Sequence, residues 1–359
     1  MVKVHMMKAY EGDFIWLSYG GSGKEYHLLI DGGVKECRER YADVIKFIST
    51  KGESIEAIIL THIDCDHIAG ACEGIAKVDA EILQRTVKKI IFNASEKIHN
   101  EILVSKNNGE YGVKEGIEFW EILKEKGIHD RIVERTIAGE IINLANGALL
   151  KIISPGKVQL EKLLDKWENY EKKHVLVGYS PNLEQIKQDL VDLMRVRTET
   201  DGSVNNASSI AFLFEYQDVK GAFLGDAKPS VCMEGLKKFD VKDGYSVDFI
   251  KLSHHGSISN TNLKLLKRLS TVNYLISTNG HEKKVPSKVV IAKLLRNCQE
   301  ENKSEITLHC NYDWWESQYH NKYFTQKDWQ LYIDTGVLKI SSLGKEGTIV
   351  KDGLILYGK

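Results

Sequence analysis

Apolar runs interrupted by glycine and polar turns set the first picture of this chain. Residues 2–9, 14–18 and 26–30 read as three short strands. Gly20-Gly21-Ser22-Gly23 reads as a hairpin connection, because no Lys-Ser/Thr and no helix follow it as a phosphate loop requires. The run Ile55-Glu56-Ala57-Ile58-Ile59-Leu60 has the length and branched content of a buried strand. Residues 88–92, 148–153, 210–216, 221–224 and 247–252 read as further strands. Helical spacing appears at 113–126, with Ile117, Trp120 and Leu123 on one face. It recurs at 158–173, with Leu160, Leu163, Leu164 and Trp167 inward, and at 183–194, with Leu183, Ile186 and Leu190 inward. Ser180-Pro181 looks like a cap with proline at the first helical position. These helices read as scaffold.

Chemistry concentrates where strands stop. Directly after the 55–60 run come Thr61-His62-Ile63-Asp64-Cys65-Asp66-His67, with His62, Asp64, Asp66 and His67 all able to hold metal. Imidazole with carboxylate suits zinc, and also manganese or iron. In a tight loop His62 and Asp64 can serve one ion, and Asp66 and His67 a neighbouring one; an acidic surface loop with incidental histidines is the plainer alternative. The 26–30 strand ends in Asp31-Gly32-Gly33, where Asp31 can orient a metal-bound imidazole from behind. The 221–224 strand ends in Gly225-Asp226, a carboxylate placed to bridge two cations. The 247–252 strand ends in Ser253-His254-His255-Gly256-Ser257, and adjacent imidazoles are hard to place in a core unless bonded. Three strand ends bearing ligand-type residues are expected to converge on one rim.

Composition bounds this picture without redirecting it. The chain has 359 residues, 42% of them hydrophobic, and a formal charge of -1. That suits one large globular domain, or one domain with an appendage. With four prolines and no Ser/Gly-rich run, no linker is visible. No apolar stretch approaches the ~20 residues that span a bilayer, and the first residues start a strand rather than a signal peptide. Cys37, Cys65, Cys72, Cys232, Cys298 and Cys310 form no C-x-x-C pair, so a reducing, cytoplasmic setting is expected. Cys65, between candidate ligands, reads as a small filler, with oxidation sensitivity as the alternative. The neutral balance supplies no basic excess for nucleic acid, and Lys88-Lys89 and Lys283-Lys284 read as solvated surface.

Together the Asp-Gly-Gly turn, the H-x-D-x-D-H stretch, the Gly-Asp strand end and the final histidine pair resemble the metallo-β-lactamase superfamily. Within it the pattern is most similar to the hydrolase domain of ComEC-type DNA-uptake proteins. Those share the H-x-D-x-D-H variant, an Asn/Ser-rich stretch before Gly-Asp, and His-His-Gly-Ser. The resemblance covers roughly residues 2–295 and implies an α/β fold, a four-layer αββα sandwich with the site at one edge of two facing sheets. It divides the chain into a hydrolase domain, 1–298, and a C-terminal aromatic-rich extension packed on it, 299–359. It implies two divalent ions, zinc first and manganese second. His62 and Asp64 would hold one, Asp66 and His67 the other, with Asp226 bridging and His255 completing the second site. His254 would face substrate as proton donor or phosphate contact, a role exchangeable with that of His255. Thr61, Asn206, Ser209 and Ser257 would support the ligands beside Asp31.

Two departures stand out. Where the superfamily usually places a histidine before the Gly-Asp strand, this chain has Asn205, Asn206, Ser208 and Ser209, which predicts a weakly held first ion. Where ComEC relatives often have His-Pro after the final motif, it has Val285-Pro286, with His281 nearby. In the extension, Tyr312, Trp314, Trp315, Tyr319, Tyr323, Phe324 and Trp329 read as a satellite core, with base stacking as the alternative. Residues 354–357 read as a closing strand or an oligomer edge.

The expected activity is metal-dependent hydrolysis, in which water activated by the metal pair attacks phosphorus or a carbonyl carbon. Asp64 or Asp66 would orient that water or take its proton, and His254 would help stabilise developing charge. Nucleic acid or another phosphodiester is the expected substrate, with no membrane partner. A small-molecule ester, lactone or thioester hydrolase is the enzymatic alternative. A regulatory subunit with a degenerate metal site is the non-enzymatic one.

Overall fold

The computed structural model describes residues 1–21, 23–93, 113–133, 135–168, 188–196, 202–280, 285–316, 326–342 and 354–357. The expectations placed on Ser180-Pro181, Leu183, Ile186, His281, Lys283-Lys284, Tyr319, Tyr323 and Phe324 lie outside these residues.

Among the described residues, two large sheets face each other. The first has seven strands in the order Leu354–Tyr357, Val2–Met6, Ile15–Gly21, Lys24–Ile30, Ser54–Ile59, Ile90–Ile91, Ile132–Val133. The second has eight, in the order Leu338–Ser342, Ile306–Cys310, Asn273–Ile276, Phe249–Lys251, Val219–Phe223, Ala211–Tyr216, Leu149–Ser154, Ile141–Asn143. The expected hairpin joins Ile15–Gly21 to Lys24–Ile30.

Three separate apolar clusters define the layers. One lies between the sheets and draws on both, with Leu17, Ile59, Phe212 and Phe249 fully or almost fully buried. A second fills the outer face of the first sheet beneath helices Arg38–Thr50 and Cys65–Ala76. The third lies between the second sheet and helices Pro229–Lys238, Leu263–Arg268 and Lys288–Glu300. Three interfaces stacked in this way make the four layers αββα, as the fold class was expected to be.

The described residues after 298 are continuous with this framework. Ile306–Cys310 and Leu338–Ser342 extend the second sheet in parallel register, and Leu354–Tyr357 pairs antiparallel with Val2–Met6. Trp314 and Trp329 belong to the cluster under the second sheet, with rings 6.0 Å apart. Tyr312 turns its hydroxyl to accept from the Tyr10 amide at 2.9 Å.

What positions the site is the parallel pairing at the middle of each sheet. Lys24–Ile30 runs parallel to Ser54–Ile59, and Val219–Phe223 runs parallel to Phe249–Lys251. Their carboxyl ends therefore reach one rim, where the sheets are stitched together. The Ile210 amide donates to the Thr61 carbonyl at 2.8 Å, and the Ser277 hydroxyl donates to the Gly12 carbonyl at 2.8 Å.

Candidate metal centre

The structure makes one local correction to the loop expected at 62–67. A helix, Cys65–Ala76, begins inside it with Asp64 as its N-cap, so Asp66 and His67 sit in the first helical turn. Asp64 does not use its side chain as a cap; its Oδ1 accepts from Asn205 Nδ2 at 2.6 Å. The helix seats closely on the Asp-Gly-Gly turn: the Gly32 amide donates to the His67 carbonyl at 2.7 Å. A Cβ on Gly32 would lie 2.3 Å from the Ala71 nitrogen, and one on Gly70 2.1 Å from the Gly32 carbonyl oxygen. Only glycine permits that approach.

Every imidazole of the first motif is fixed through Nδ1. Thr61 Oγ1 donates to Asp31 Oδ2 at 2.8 Å, so it must accept from His62 Nδ1, 2.9 Å away. His67 Nδ1 donates to Asp31 Oδ2 at 2.8 Å. His255 Nδ1 donates to the Ser277 carbonyl, also at 2.8 Å. With Nδ1 carrying the proton, Nε2 offers its lone pair. Asp31 adopts a left-handed backbone, φ 54°, which turns its carboxylate between Thr61 and His67.

Asp226 stands in the middle of the remaining donors. Its Oδ1 is 3.5 Å from His67 Nε2, and its Oδ2 is 3.6 Å from both His62 Nε2 and His254 Nε2. On one side His62 Nε2 lies 3.6 Å from Asp64 Oδ2. On the other, Asp66 Oδ2 lies 3.5 Å from His255 Nε2 and 3.8 Å from His67 Nε2. These gaps exceed a good hydrogen bond. They match the separation of about 3.4 Å between two ligands on one tetrahedral ion at 2.0–2.2 Å.

The residues therefore fit a pair of divalent cations. His62 Nε2, His67 Nε2, His255 Nε2 and Asp226 Oδ1 are buried and have no hydrogen-bond partner, an arrangement that costs stability unless something else binds there. Electrostatics point the same way. Burial opposes charge on His62, yet Asp226 and Asp64 outweigh it and push its pKa up to about 10. His255 is likewise opposed by burial and raised to about 9, by Asp13, Asp66 and Asp226. Asp226, despite its burial, is held well below the usual carboxylate range by His254, His67, His62 and His255. The cluster demands positive charge, and a cation competes with protons for the same Nε2 atoms.

The residues named as supports stand around Asp226 and His254. Ser209 Oγ accepts from the Asp226 amide at 3.0 Å, and Asn206 Nδ2 approaches His254 Nδ1 at 3.3 Å. Ser257 participates through its backbone instead, its amide donating to the His254 carbonyl at 2.8 Å. Cys65 is a protonated filler: burial and Glu115 push its thiol up to about 12, and Sγ donates to Glu115 Oε1 at 3.2 Å.

Residues not singled out from the sequence also belong here. Asp13 Oδ1 lies 3.5 Å from His255 Nδ1, and Asp13 Oδ2 accepts from Lys251 Nζ at 2.5 Å. Asn260 holds Asp226 from behind, its Nδ2 donating to the Asp226 carbonyl at 2.9 Å. One signal was available: Lys251 is a lone charge inside the apolar run Phe249-Ile250-Lys251-Leu252, and a buried lysine needs a buried partner.

Residues 16–82 match the family described as Metallo-beta-lactamase superfamily. The chain has the metallo-β-lactamase fold. No curated protein matches it. Among solved structures it is similar to the metallo-β-lactamase fold protein YhfI from Bacillus subtilis, at 10% identity and TM-score 0.41, covering 96% of this chain and 98% of that one. It is similar to Zn(2+)-bound PqqB from Methylobacterium extorquens at 11% identity and TM-score 0.40, covering 96% and 99%. CmlA, a diiron β-hydroxylase from Streptomyces venezuelae, overlaps at 12% identity and TM-score 0.42, covering 84% of this chain and 52% of CmlA. This chain thus spans about half the length of CmlA. Among the described residues, no helix of this metallo-β-lactamase fold is long and apolar enough to cross a membrane.

Proposed function

We propose that this chain is a hydrolase dependent on two divalent metal ions, zinc or manganese, and that its substrate is a phosphodiester of nucleic acid. The observation that carries the metal-dependent reading is the sharing of Asp226. Its Oδ2 lies 3.6 Å from His62 Nε2 and its Oδ1 3.5 Å from His67 Nε2, and one donor atom from each of the three buried residues lies within 4.8 Å of the others. Phosphodiester chemistry is supported by the resemblance of the joined motifs to ComEC-type hydrolase domains.

His62, Asp64 and Asp226 would hold one ion, and Asp66, His67, His255 and Asp226 the other. Such a pair supplies an activated water and a clamp for the negative charge of the transition state. The protein does the rest by fixing directions. Asp31 and Thr61 orient His67 and His62, and the Ser277 carbonyl orients His255. Asp64 has a side chain 35% exposed, against 12% for Asp66 and 2% for Asp226. It is the carboxylate that meets solvent, and beside bound ions it would orient the attacking water or take its proton.

The test is an activity screen of the purified protein with manganese or zinc on single-stranded DNA, RNA, bis-p-nitrophenyl phosphate, a lactone and a thioester. Wild type should cleave phosphodiesters, and Asp66→Asn and Asp226→Asn should each lose roughly a thousandfold or more with folding intact. Hydrolysis confined to carboxylic esters refutes the substrate assignment. Protein that carries only trace metal and ignores added ions refutes the enzyme, and leaves a binding role.

A further inference from the structure

Asp64 stands at the N-cap of helix Cys65–Ala76 with the extended backbone that position takes, φ -68°, ψ 140°. An aspartate there ordinarily turns its carboxylate onto the amides two or three residues ahead. Asp64 does not. Only its main-chain carbonyl serves the first turn, accepting from the His67 and Ile68 amides at 2.9 and 3.1 Å. The carboxylate is drawn across the rim instead, where Asn205 Nδ2 donates to Oδ1 at 2.6 Å. Among the described residues this is the one hydrogen bond the carboxylate makes, since His62 Nε2 stands 3.6 Å from Oδ2.

Asn205 is itself held firmly. It is buried, in the short helix Val204–Ser208 that leads into strand Ala211–Tyr216 of the second sheet. Ser203 caps that helix, its Oγ accepting from the Asn206 amide at 3.2 Å, and Ser208 Oγ donates to the Asn205 carbonyl at 2.8 Å. Just past the helix, Ser209 Oγ accepts from the Asp226 amide at 3.0 Å and the Ile210 amide donates to the Thr61 carbonyl at 2.8 Å. Asn205 therefore reaches Asp64 from a frame already tied to Asp226 and to the start of the metal loop. An amide donating to an ionised carboxylate makes one of the stronger hydrogen bonds, more so where water is largely shut out. The residue type matters: Nδ2 can only donate, whereas an aspartate in its place would repel Asp64 and an alanine would release it.

We propose that Asn205 is the positioning residue for Asp64: it keeps the carboxylate off its own helix and out on the rim, with Oδ1 engaged and Oδ2 left toward His62. This rests on the reading of Asp64 as the carboxylate that orients the attacking water, and deepens it by identifying what orients Asp64. The cap that Asp64 forgoes is the sign that placement, not helix stability, is served. The stretch before the Gly-Asp strand then contributes to the site through a carboxylate on the opposite sheet, with no ligand of its own. Without Asn205 the carboxylate is free to fold back onto the first-turn amides, away from the reacting atoms, and a small misplacement of that kind is costly to rate.

A double-mutant cycle of Asn205→Ala and Asp64→Ala tests this, with kcat and KM measured at saturating manganese on whichever screened substrate wild type cleaves, and circular dichroism to check folding. Asn205→Ala should lower kcat about 10–100-fold with KM changed less than about twofold. In the Asp64→Ala background the same substitution should change kcat less than about twofold, because the group it positions is gone. Equal losses in both backgrounds, or an unchanged kcat in Asn205→Ala, overturns the positioning role and leaves the enzyme reading in place. A wild type that cleaves nothing overturns the enzyme reading and this role with it. Nuclear magnetic resonance of the metal-free protein gives a readout apart from activity, and serves should Asn205→Ala fail to fold. The Asn205 side-chain amide should resonate downfield and exchange slowly in wild type, and move upfield and exchange faster in Asp64→Ala; a resonance that stays put overturns the proposal.

Discussion

Asp13 and Lys251 meet behind the candidate metal centre, each with a side chain only 2% exposed. Lys251 donates to Asp13 Oδ2 at 2.5 Å and to the Leu252 carbonyl at 3.0 Å. Burial pushes the Asp13 carboxyl up, but Lys251, with His255 and His67, outweighs it and holds the group well below the usual carboxylate range. Removing one member strands the other without water. Lys251→Met leaves a buried carboxylate facing only the imidazoles of His255 and His67, and should cost about 3–5 kcal/mol. Asp13→Asn leaves a buried ammonium with an amide oxygen and one carbonyl, and should cost about 3 kcal/mol. The double variant removes both charges and should cost less than about 3 kcal/mol, well short of the sum, because apolar replacement of a whole buried pair is often near neutral. Urea unfolding at pH 7 with chelator present, which removes stabilisation by bound metal, measures all three. The sign with pH is fixed by the depressed carboxyl. Its contribution is complete above the unfolded value near 3.9 and is lost only as pH falls toward the folded one, so the Asp13→Asn penalty should be flat from pH 5 to 7. Single variants costing under ~1 kcal/mol, or additivity within ~0.5 kcal/mol, would refute a buried, mutually dependent pair.

Other outcomes follow from residues elsewhere. Gly70→Ala would place a methyl 2.1 Å from the Gly32 carbonyl oxygen; it should destabilise by about 1–3 kcal/mol or more, and thermal melts would show it. Asp31→Asn keeps the shape and the left-handed backbone but loses the charge on His67 and Thr61, and should weaken metal binding about 10–100-fold in calorimetry. Lys293 is buried with no hydrogen-bond partner on Nζ, and burial pushes its pKa down to about 8. Its protonated form is penalised in the fold below pH 8 and relieved as pH rises toward the ordinary 10.5. Lys293→Met should therefore stabilise by about 1–3 kcal/mol at pH 7, a gain that urea midpoints should show shrinking between pH 8 and 10.5.

Sequence legibility follows the range of the interactions. The 55–60 run, the ligands just after it and the Gly-Asp and His-His ends are local patterns, and the structure brings those residues together. Asp13 and Lys251 are separated by 238 positions, and nothing near Asp13 announces a partner. The helix start within 62–67 was readable: Asp64 is an N-cap type and Asp66 an acid in the first turn. Ligand density there looks like a loop, because the same residue types favour both. Ile306, Leu308 and Cys310 alternate inward with half-buried Thr307 and His309, the period of a strand, but the aromatics nearby suggest a separate cluster. The direction in which His254 points depends on two successive left-handed residues, His254 and His255, and no spacing rule carries that.

The pairing of Leu354–Tyr357 against Val2–Met6 has a practical outcome for anyone shortening this protein. Val2, Val4 and Met6 are almost fully buried, and Val2 stands opposite Tyr357 while His5 stands opposite Leu354. A version stopping ahead of Leu354 bares a row of amides and carbonyls along an apolar margin, which invites a like margin from another molecule. Such a truncation should self-associate as concentration rises, even with its candidate metal-binding rim untouched.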